Sequence, residues 1–436
     1  MESAKLHNRE LSPVNRLPNE LLTWIFELCI NATAIASPSC DVHRHCKRQL
    51  ASVSRHWRSA ILHSPSFWAT IKLAPTWSHS LVKAHVARSS SSFLAIEMCP
   101  WPPERWVTAT FRAMLDLLVG CAHRWRSLVI QGDVNGFQLE ELFDRMEHKS
   151  FPSLTHFSVE LVPRWLLDTS VSQFFTQRFP RLDHLGLGGV SITSRCVQIP
   201  PNLTSLALAV GCCGSSSVLQ QLSFRNLTTL TLSGCAGEIK LDPDSISLPL
   251  LEKLVCNASQ GNVLLQAIVA PNLIHLEYRH REFAGLALAG NLFNLHTPRY
   301  PNVTHLSVKR IECCNEVASF QFPAVRHIAL DNYGLGSLFD STKGPTTPYW
   351  LELESVTVED LNVDMHDELA SWLEKRPQMG LPKLLVNLTA SDDWYDFKRI
   401  SKMCVVLHPH CTLEVGGVRF DSTVDIILGD RPTVSA

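Results

Sequence analysis

At 436 residues the chain is longer than one globular core usually grows, so a long repeat array or two or three domains is expected. Its 39 Lys and Arg against 41 Asp and Glu leave a formal net charge of −2, which gives no electrostatic drive towards nucleic acid or an anionic membrane. The polar N-terminus holds no apolar signal core, and no run approaches the roughly 18 apolar residues that span a bilayer. A cytoplasmic or nuclear protein with no nucleic-acid or membrane partner is expected, and in such a reducing compartment its 14 scattered cysteines are free thiols.

After a start expected to be disordered over 1–13, residues Leu17 to Leu28 read as a helix with Pro18 in its first turn, and Leu21, Leu22, Ile25, Phe26 and Leu28 form an apolar stripe. A second helix is expected from Gln49 to Leu62, with Leu50, Val53, Trp57, Ala60 and Ile61 on one face and Arg48, Arg55 and Arg58 on others. Ser64-Pro65 stops it, and Ser66 to Leu73 reads as a strand. A unit of about 50 residues cannot enclose so many large apolar groups alone, so some should face a partner or the rest of the chain.

Three blocks stand here in order: Leu17-Pro18-x-Glu20-Leu21-Leu22-x-x-Ile25-Phe26, Leu50-Ala51-x-Val53-Ser54-Arg55-x-Trp57-Arg58, and Ser64-Pro65-Ser66-Phe67-Trp68. They resemble the F-box, in the long-insert form common in fungal F-box proteins. The insert Asn31 to Arg48 lengthens the link between helices, and Phe67 replaces the more usual leucine. The resemblance implies that 14–65 is a helical domain docking on a Skp-type adaptor, and through it on a cullin-RING ubiquitin ligase of the SCF type. It further implies that Leu17, Pro18, Leu21, Leu22, Ile25, Phe26, Leu50, Val53 and Trp57 build the adaptor-facing helices, while the remaining chain holds a protein substrate.

Ser78 to Arg88 reads as a helix, Phe93 to Met98 as a strand and Pro103 to Ala122 as an amphipathic helix, with no flexible linker before them. A short frame then recurs, clearest in Pro201-Asn202-Leu203-Thr204-Ser205-Leu206-Ala207-Leu208. Leu-x-x-Leu-x-Leu describes a turn, a seated leucine and a strand whose alternate side chains point one way. It returns at Leu154/Phe157/Val159, Leu182/Leu185/Leu187, Leu227/Leu230/Leu232, Leu251/Leu254/Cys256, Leu273/Leu276/Tyr278, Val303/Leu306/Val308, Val325/Ile328/Leu330 and Leu353/Val356/Val358, with Trp125/Leu128/Ile130 as a looser copy. A proline usually precedes it, and Cys235, Ile311, Tyr333 and Leu361 follow three residues after the last strand position, where the chain would turn inward.

Spacings of 21 (Leu182 to Leu203) to 30 (Leu273 to Val303) indicate an irregular leucine-rich-repeat solenoid, in which neighbours must stack to make a core. The expected fold is therefore α/β: a small helical F-box, then a solenoid with a curved parallel sheet over 66–418, then a cap and fraying tail over 419–436. Within its far end, Asp364 to Arg376 and Asp393 to Met403 read as helices, and Lys383 to Thr389 and Cys411 to Val415 as strands.

Nothing in the chain spells an enzyme. Cys40-x-x-His43-x-His45-Cys46 has zinc-ligand residue types but is too crowded for one tetrahedral site, and His408-x-His410-Cys411 lies far along the chain. Gly186-x-Gly188-Gly189 and Gly334-x-Gly336 lack dinucleotide spacing and read as turn glycines. No catalytic residue, metal or cofactor is assigned. Asn31, Asn202, Asn226, Asn257, Asn302 and Asn387 head glycosylation sequons, which a secreted repeat receptor would use; without a signal peptide they read as turn residues.

Two residues after the first leucine, five copies carry histidine: His156, His184, His275, His305 and His327. The last three fall in consecutive copies and should form a ladder of imidazoles, neutral near pH 7 because close cations repel. With Arg279 and Lys309, and with Glu160, Glu277, Asp331 and Glu359 on the same face, they are candidates for the substrate surface. The functional expectation is a substrate receptor of a ubiquitin ligase; the alternative is an F-box/repeat scaffold that recruits no ligase.

Overall fold

The structure is a computed structural model that describes residues 14, 17–36, 42–99, 109–132, 136–161, 178–188, 200, 202–209, 226–234, 240–258, 261–279, 298–309, 322–331, 350–359, 366–389, 403–415 and 418–420. The chain divides into two compact units, Met1–Asn202 and Leu203–Ala436.

The first unit begins with three helices, α1 (Asn19–Ala36), α2 (Val42–Val53) and α3 (Arg55–His63). Leu22, Phe26 and Ile30, at helical spacing on α1, bury themselves against Cys46, Ala60, Ile61 and Phe67, with Leu50, Ala51, Trp57 and Trp68 packed around them. Phe26 is the hub, its ring 4.7 Å from that of Trp57 and 6.3 Å from that of Phe67. The expected helix from Gln49 to Leu62 is broken in two. Ser54 is extended (φ −155°, ψ 164°), and its hydroxyl accepts from Trp57 N, capping α3. The expected strand from Ser66 also starts late, because Pro65–Trp68 is a 3-10 turn and β1 is Thr70–Leu73.

Then follow α4 (His79–Arg88), β2 (Leu94–Met98), α5 (Ala109–Val119), β3 (Trp125–Gly132), α6 (Gly136–Met146), β4 (His156–Leu161) and β5 (His184–Gly188). The five strands pair in parallel, each with the next in sequence. Gly186 and Gly188, read above as turn glycines, lie inside β5. A Cβ on Gly186 would stand 2.5 Å from Ser158 Oγ on the neighbouring strand, so close approach of side chain to backbone requires glycine there.

In the second unit β6 (Ser205–Ala209), β7 (Thr229–Gly234), β9 (Lys253–Ala258), β11 (His275–Arg279), β12 (His305–Lys309), β13 (His327–Leu330), β14 (Ser355–Glu359), β15 (Leu385–Thr389) and β16 (Thr412–Val415) again pair in parallel, in that order. Between them lie β8 (Ile246–Ser247), which pairs with β10 (Ile268–Val269), and helices α7 (Gly261–Ala267) and α8 (His366–Gln378). A final strand, β17 (Val418–Phe420), is antiparallel to β16 and straddles the expected 418/419 boundary. The inward-turn positions Cys235, Ile311, Tyr333 and Leu361 lie outside the described residues, as does the expected helix from Asp393 to Met403 apart from Met403 itself, which is helical.

Every seated and strand position of the recurring frame is buried, from Leu154, Phe157 and Val159 to Leu353, Val356 and Val358. Register aligns these positions into rows, one of which runs Leu254, Leu276, Leu306, Ile328, Val356, Val386 and Leu413. The seated residue's N–H bonds the carbonyl three residues back, at 3.1–3.4 Å in seven copies, which closes a turn with proline at its second position in all but the last. That i−3 residue is often aromatic and always buried: Phe151, Phe179, Tyr300, Phe322 and Trp350. Sequence reading missed this position. Its rings meet between copies, Phe151 to Phe179 at 5.5 Å and Tyr300 to Phe322 at 6.4 Å.

The turn asparagines have a shared task. Asn272 and Asn302 donate from Nδ2 to the carbonyls of Pro249 and Pro271, both at 2.8 Å, and Asn202 to that of Pro180 at 3.4 Å, each in the preceding turn. Asn272 heads no sequon, so the bond belongs to the turn and not to the glycosylation motif.

Gly261 opens α7 in close contact with the strands beneath. A Cβ there would lie 2.3 Å from Tyr278 Cε2 and 3.0 Å from Cys256 Sγ, both on buried side chains. Gly261→Ala should lower the stability of the second unit by about 1–3 kcal/mol through overpacking, read as a shift in the urea unfolding midpoint; an unchanged midpoint would contradict this packing.

Candidate protein-interaction surfaces

The head presents the first candidate surface. Leu22 and Phe26 are buried in its core, while Leu50 and Trp57 are partly buried against that core. Leu17 is half-buried and Pro18 exposed. Leu21, Ile25 and Val53 are left, exposed at 46%, 39% and 60%. The structure thus splits the nine expected contact residues into a core set and an outward set. It also adds two outward residues absent from that set: Trp24, exposed at 60%, and Leu28 at 53%.

Leu21, Trp24, Ile25 and Leu28 follow the i, i+3, i+4, i+7 pattern, so they make one ridge on the side of α1 opposite Leu22, Phe26 and Ile30. The signal was in the sequence. The apolar stripe read there spans two faces of one helix, and only the helix packed against α3 could be said to need one of them. Cys46 is used in the core as a small hydrophobe, and among the described residues no group of three or more His, Cys, Asp or Glu is placed to hold a metal ion.

The second candidate is the strand face carrying the histidines. In the first unit His156 and His184 are paired in register, their rings stacked at 4.0 Å with 5° between planes. In the second unit His275, His305 and His327 are in register on three adjacent strands, with ring centroids 5.9 and 4.3 Å apart. The Thr304 hydroxyl lies 3.0 Å from His305 Nδ1, and the Ser355 hydroxyl 2.8 Å from His327 Nδ1. Arg279 is exposed beside Lys309, whose ammonium reaches past β13 to Glu359 at 2.8 Å. An equivalent pair in the first unit joins Lys72 to Glu97 at 2.7 Å.

At His156, His184, His275 and His305 burial, more than mutual repulsion, lowers the affinity of the imidazole for protons. Partial burial holds His156, His275 and His305 below the ordinary range, with Lys253 and His305 adding to the effect at His275 and His327 adding to it at His305. His184 is brought down to about 4, by burial first and His156 second, against the pull of Asp183. The order of causes differs from the sequence expectation, which rested on repulsion alone.

No protein-family model matches this chain, and no curated protein matches it. Among the described residues no helix is long and apolar enough to cross a membrane.

The depressed His184 fixes a sign for pH dependence. In the unfolded chain the imidazole takes its proton near pH 6.5, whereas the folded protein refuses it until about pH 4. The stability it contributes is fully present above pH 6.5 and is lost as the pH falls from there towards 4. His184→Asn should therefore flatten the fall in thermal midpoint between neutral and acid pH; a profile parallel to that of the wild type would show that His184 does not carry it.

Proposed function

We propose that the chain is the substrate-recognition subunit of a cullin-RING ubiquitin ligase, with the helical head docking on a Skp-type adaptor and the strand array binding a protein target. The observation that carries this reading is the α1 ridge. A head that already has its own closed core still exposes Leu21, Trp24, Ile25 and Leu28 on one side of one helix, with Val53 exposed on α2. Large apolar side chains gathered this way are the usual mark of a protein-binding surface. The three F-box-like sequence blocks fall on α1, on α2 with α3, and on the 3-10 turn.

The parallel strands and their outward residues support a solenoid that holds the target on a surface of many small contacts. No bond chemistry is asked of this chain. It acts by raising the target's effective concentration at a ubiquitin-conjugating enzyme bound elsewhere in the assembly. If the head recruits no ligase, the same surfaces serve a scaffold.

Two measurements test the reading. Immobilised wild-type chain should retain a purified Skp-type adaptor, and Leu21→Asp/Ile25→Asp should weaken that retention by at least about tenfold with little change in thermal midpoint, because both residues are outward. Phe26→Ala should instead unfold the head, at about 3–5 kcal/mol. A wild type that does not hold the adaptor favours the scaffold. For the strand face, replacing His275, His305 and His327 together by Ala should weaken capture of proteins that accumulate when the proteasome is blocked, with the midpoint nearly unchanged; unaltered capture would remove these histidines from the surface.

A further inference from the structure

The second and third helices of the head are one-signed in charge, whereas α1 carries Glu20 and Glu27. Residues 42–63 contain five Lys and Arg and no Asp or Glu. Lys47 is turned inward, its ammonium donating to the Phe67 carbonyl at 2.5 Å. The other four are all arginine; Arg48, Arg55 and Arg58 are exposed and Arg44 is half-exposed.

Helical geometry gathers them. Arg44 and Arg48, at i and i+4, share one side of α2; Arg55, Arg58 and Leu62, at i, i+3 and i+7, share one side of α3. Arg58 Nε donates to the Ala51 carbonyl at 3.1 Å, which brings that side of α3 against the turn of α2 that follows Arg48. Among the described residues no carboxylate forms an ion pair with Arg48, Arg55 or Arg58. Leu62 is itself exposed within the strip.

We infer that this arginine strip docks an acidic segment of a partner protein, one that carries carboxylates beside apolar side chains. The inference rests on the proposed reading of the head as a protein-docking module and gives that partner its chemistry. Forked guanidinium groups match carboxylates in a bidentate way that a lysine ammonium does not. Arginine and tryptophan are enriched where proteins meet and lysine is depleted, as on this head. Like charges gathered on two neighbouring helices repel one another, and an acidic partner relieves that repulsion on binding. A phosphate-backbone surface would have no use for Leu62 in the strip or for the apolar ridge of the same head.

The test uses the full chain and fluorescence anisotropy. The probe is a labelled amphipathic helix built of Glu and Leu, with a Lys and Leu helix, a short DNA duplex and phosphatidylserine vesicles in parallel. The Glu and Leu helix should bind best, should weaken as salt is raised, and should lose at least about tenfold in affinity to Arg48→Glu/Arg55→Glu, whose thermal midpoint should match the wild type. Tighter capture of DNA or vesicles, or a variant that binds the helix like the wild type, overturns the inference. The two readings fail separately. If the wild type ignores the Skp-type adaptor while the peptide results hold, the ligase reading falls and the acidic-partner inference stands. If the adaptor is lost by Leu21→Asp/Ile25→Asp but is untouched by Arg48→Glu/Arg55→Glu, the inference falls and the ligase reading stands.

Discussion

A parallel strand carrying two inward apolar side chains cannot hide them by itself, and most of this molecule follows from that. Each buried leucine contributes roughly 1.5–3 kcal/mol only when its neighbours along the row cover it. The row from Leu254 to Leu413 does so strand by strand in strict register. The backbone keeps that register with a device at most of these strand entries: a carbonyl such as Thr228 O, Glu252 O, Ile274 O or Thr304 O accepts two successive N–H groups from the next copy. The inward positions are thereby confined to apolar residues of suitable size. Outward positions carry no such constraint: the row through the histidines also holds Ser205, Thr229, Lys253, Ser355 and Leu385.

The head obeys a different rule, because helices can close a core with few residues. Its attachment to the first strands depends on two adjacent residues of one 3-10 turn. Phe67 points into the head's core, while Trp68 donates from Nε1 to the Ile61 carbonyl and meets the rings of α4, with His85 at 4.9 Å and the Arg88 guanidinium at 4.4 Å. His85 is buried between Trp68 and Trp77, and burial, reinforced by Lys47, brings its imidazole down to about 4. A neutral ring therefore fills the joint at ordinary pH, and only Trp68 and Ala69 separate Phe67 from Thr70, where β1 begins. The head is fixed to these elements by packing, which is why no linker composition is found between them.

The strands were legible because a three-then-two spacing ties the turn to the strand, and one misplaced residue would turn every side chain to the wrong face. The histidine ladder followed from that register alone. What escaped sequence reading has separate physical causes. Ser54 breaks a helix whose apolar spacing runs through it, since capping is a competition between local bonds that periodicity does not see. The often aromatic position three residues before the seated leucine sits outside the leucine frame, and its value lies in contacts between copies. Gly186 and Gly188 look like turn residues in isolation and are strand residues because Ser158 and Glu160 press on them from the neighbouring strand. The outward ridge of α1 and its inward core face share one hydrophobic stripe, and only the position of α3 divides them.

The two candidate surfaces differ in how their charge is balanced, and that difference bears on what each can select. On the strand face, Lys72 with Glu97 and Lys309 with Glu359 neutralise one another within their own units, and burial is the chief cause that disfavours protonation of His156, His184, His275 and His305. Such a face offers ring planes and hydroxyls beside charges of both signs, among them the exposed Arg279, so discrimination there rests more on shape and hydrogen bonding than on net charge. On the head, Arg48, Arg55 and Arg58 form no ion pair among the described residues and lie on the same module as an apolar ridge. Exposed charge of one sign speeds encounter with an opposite partner, while buried apolar contact slows its departure. A module that combines the two is suited to a standing partner of fixed chemistry, whereas the strand face can be retuned one outward residue at a time without disturbing the rows beneath it.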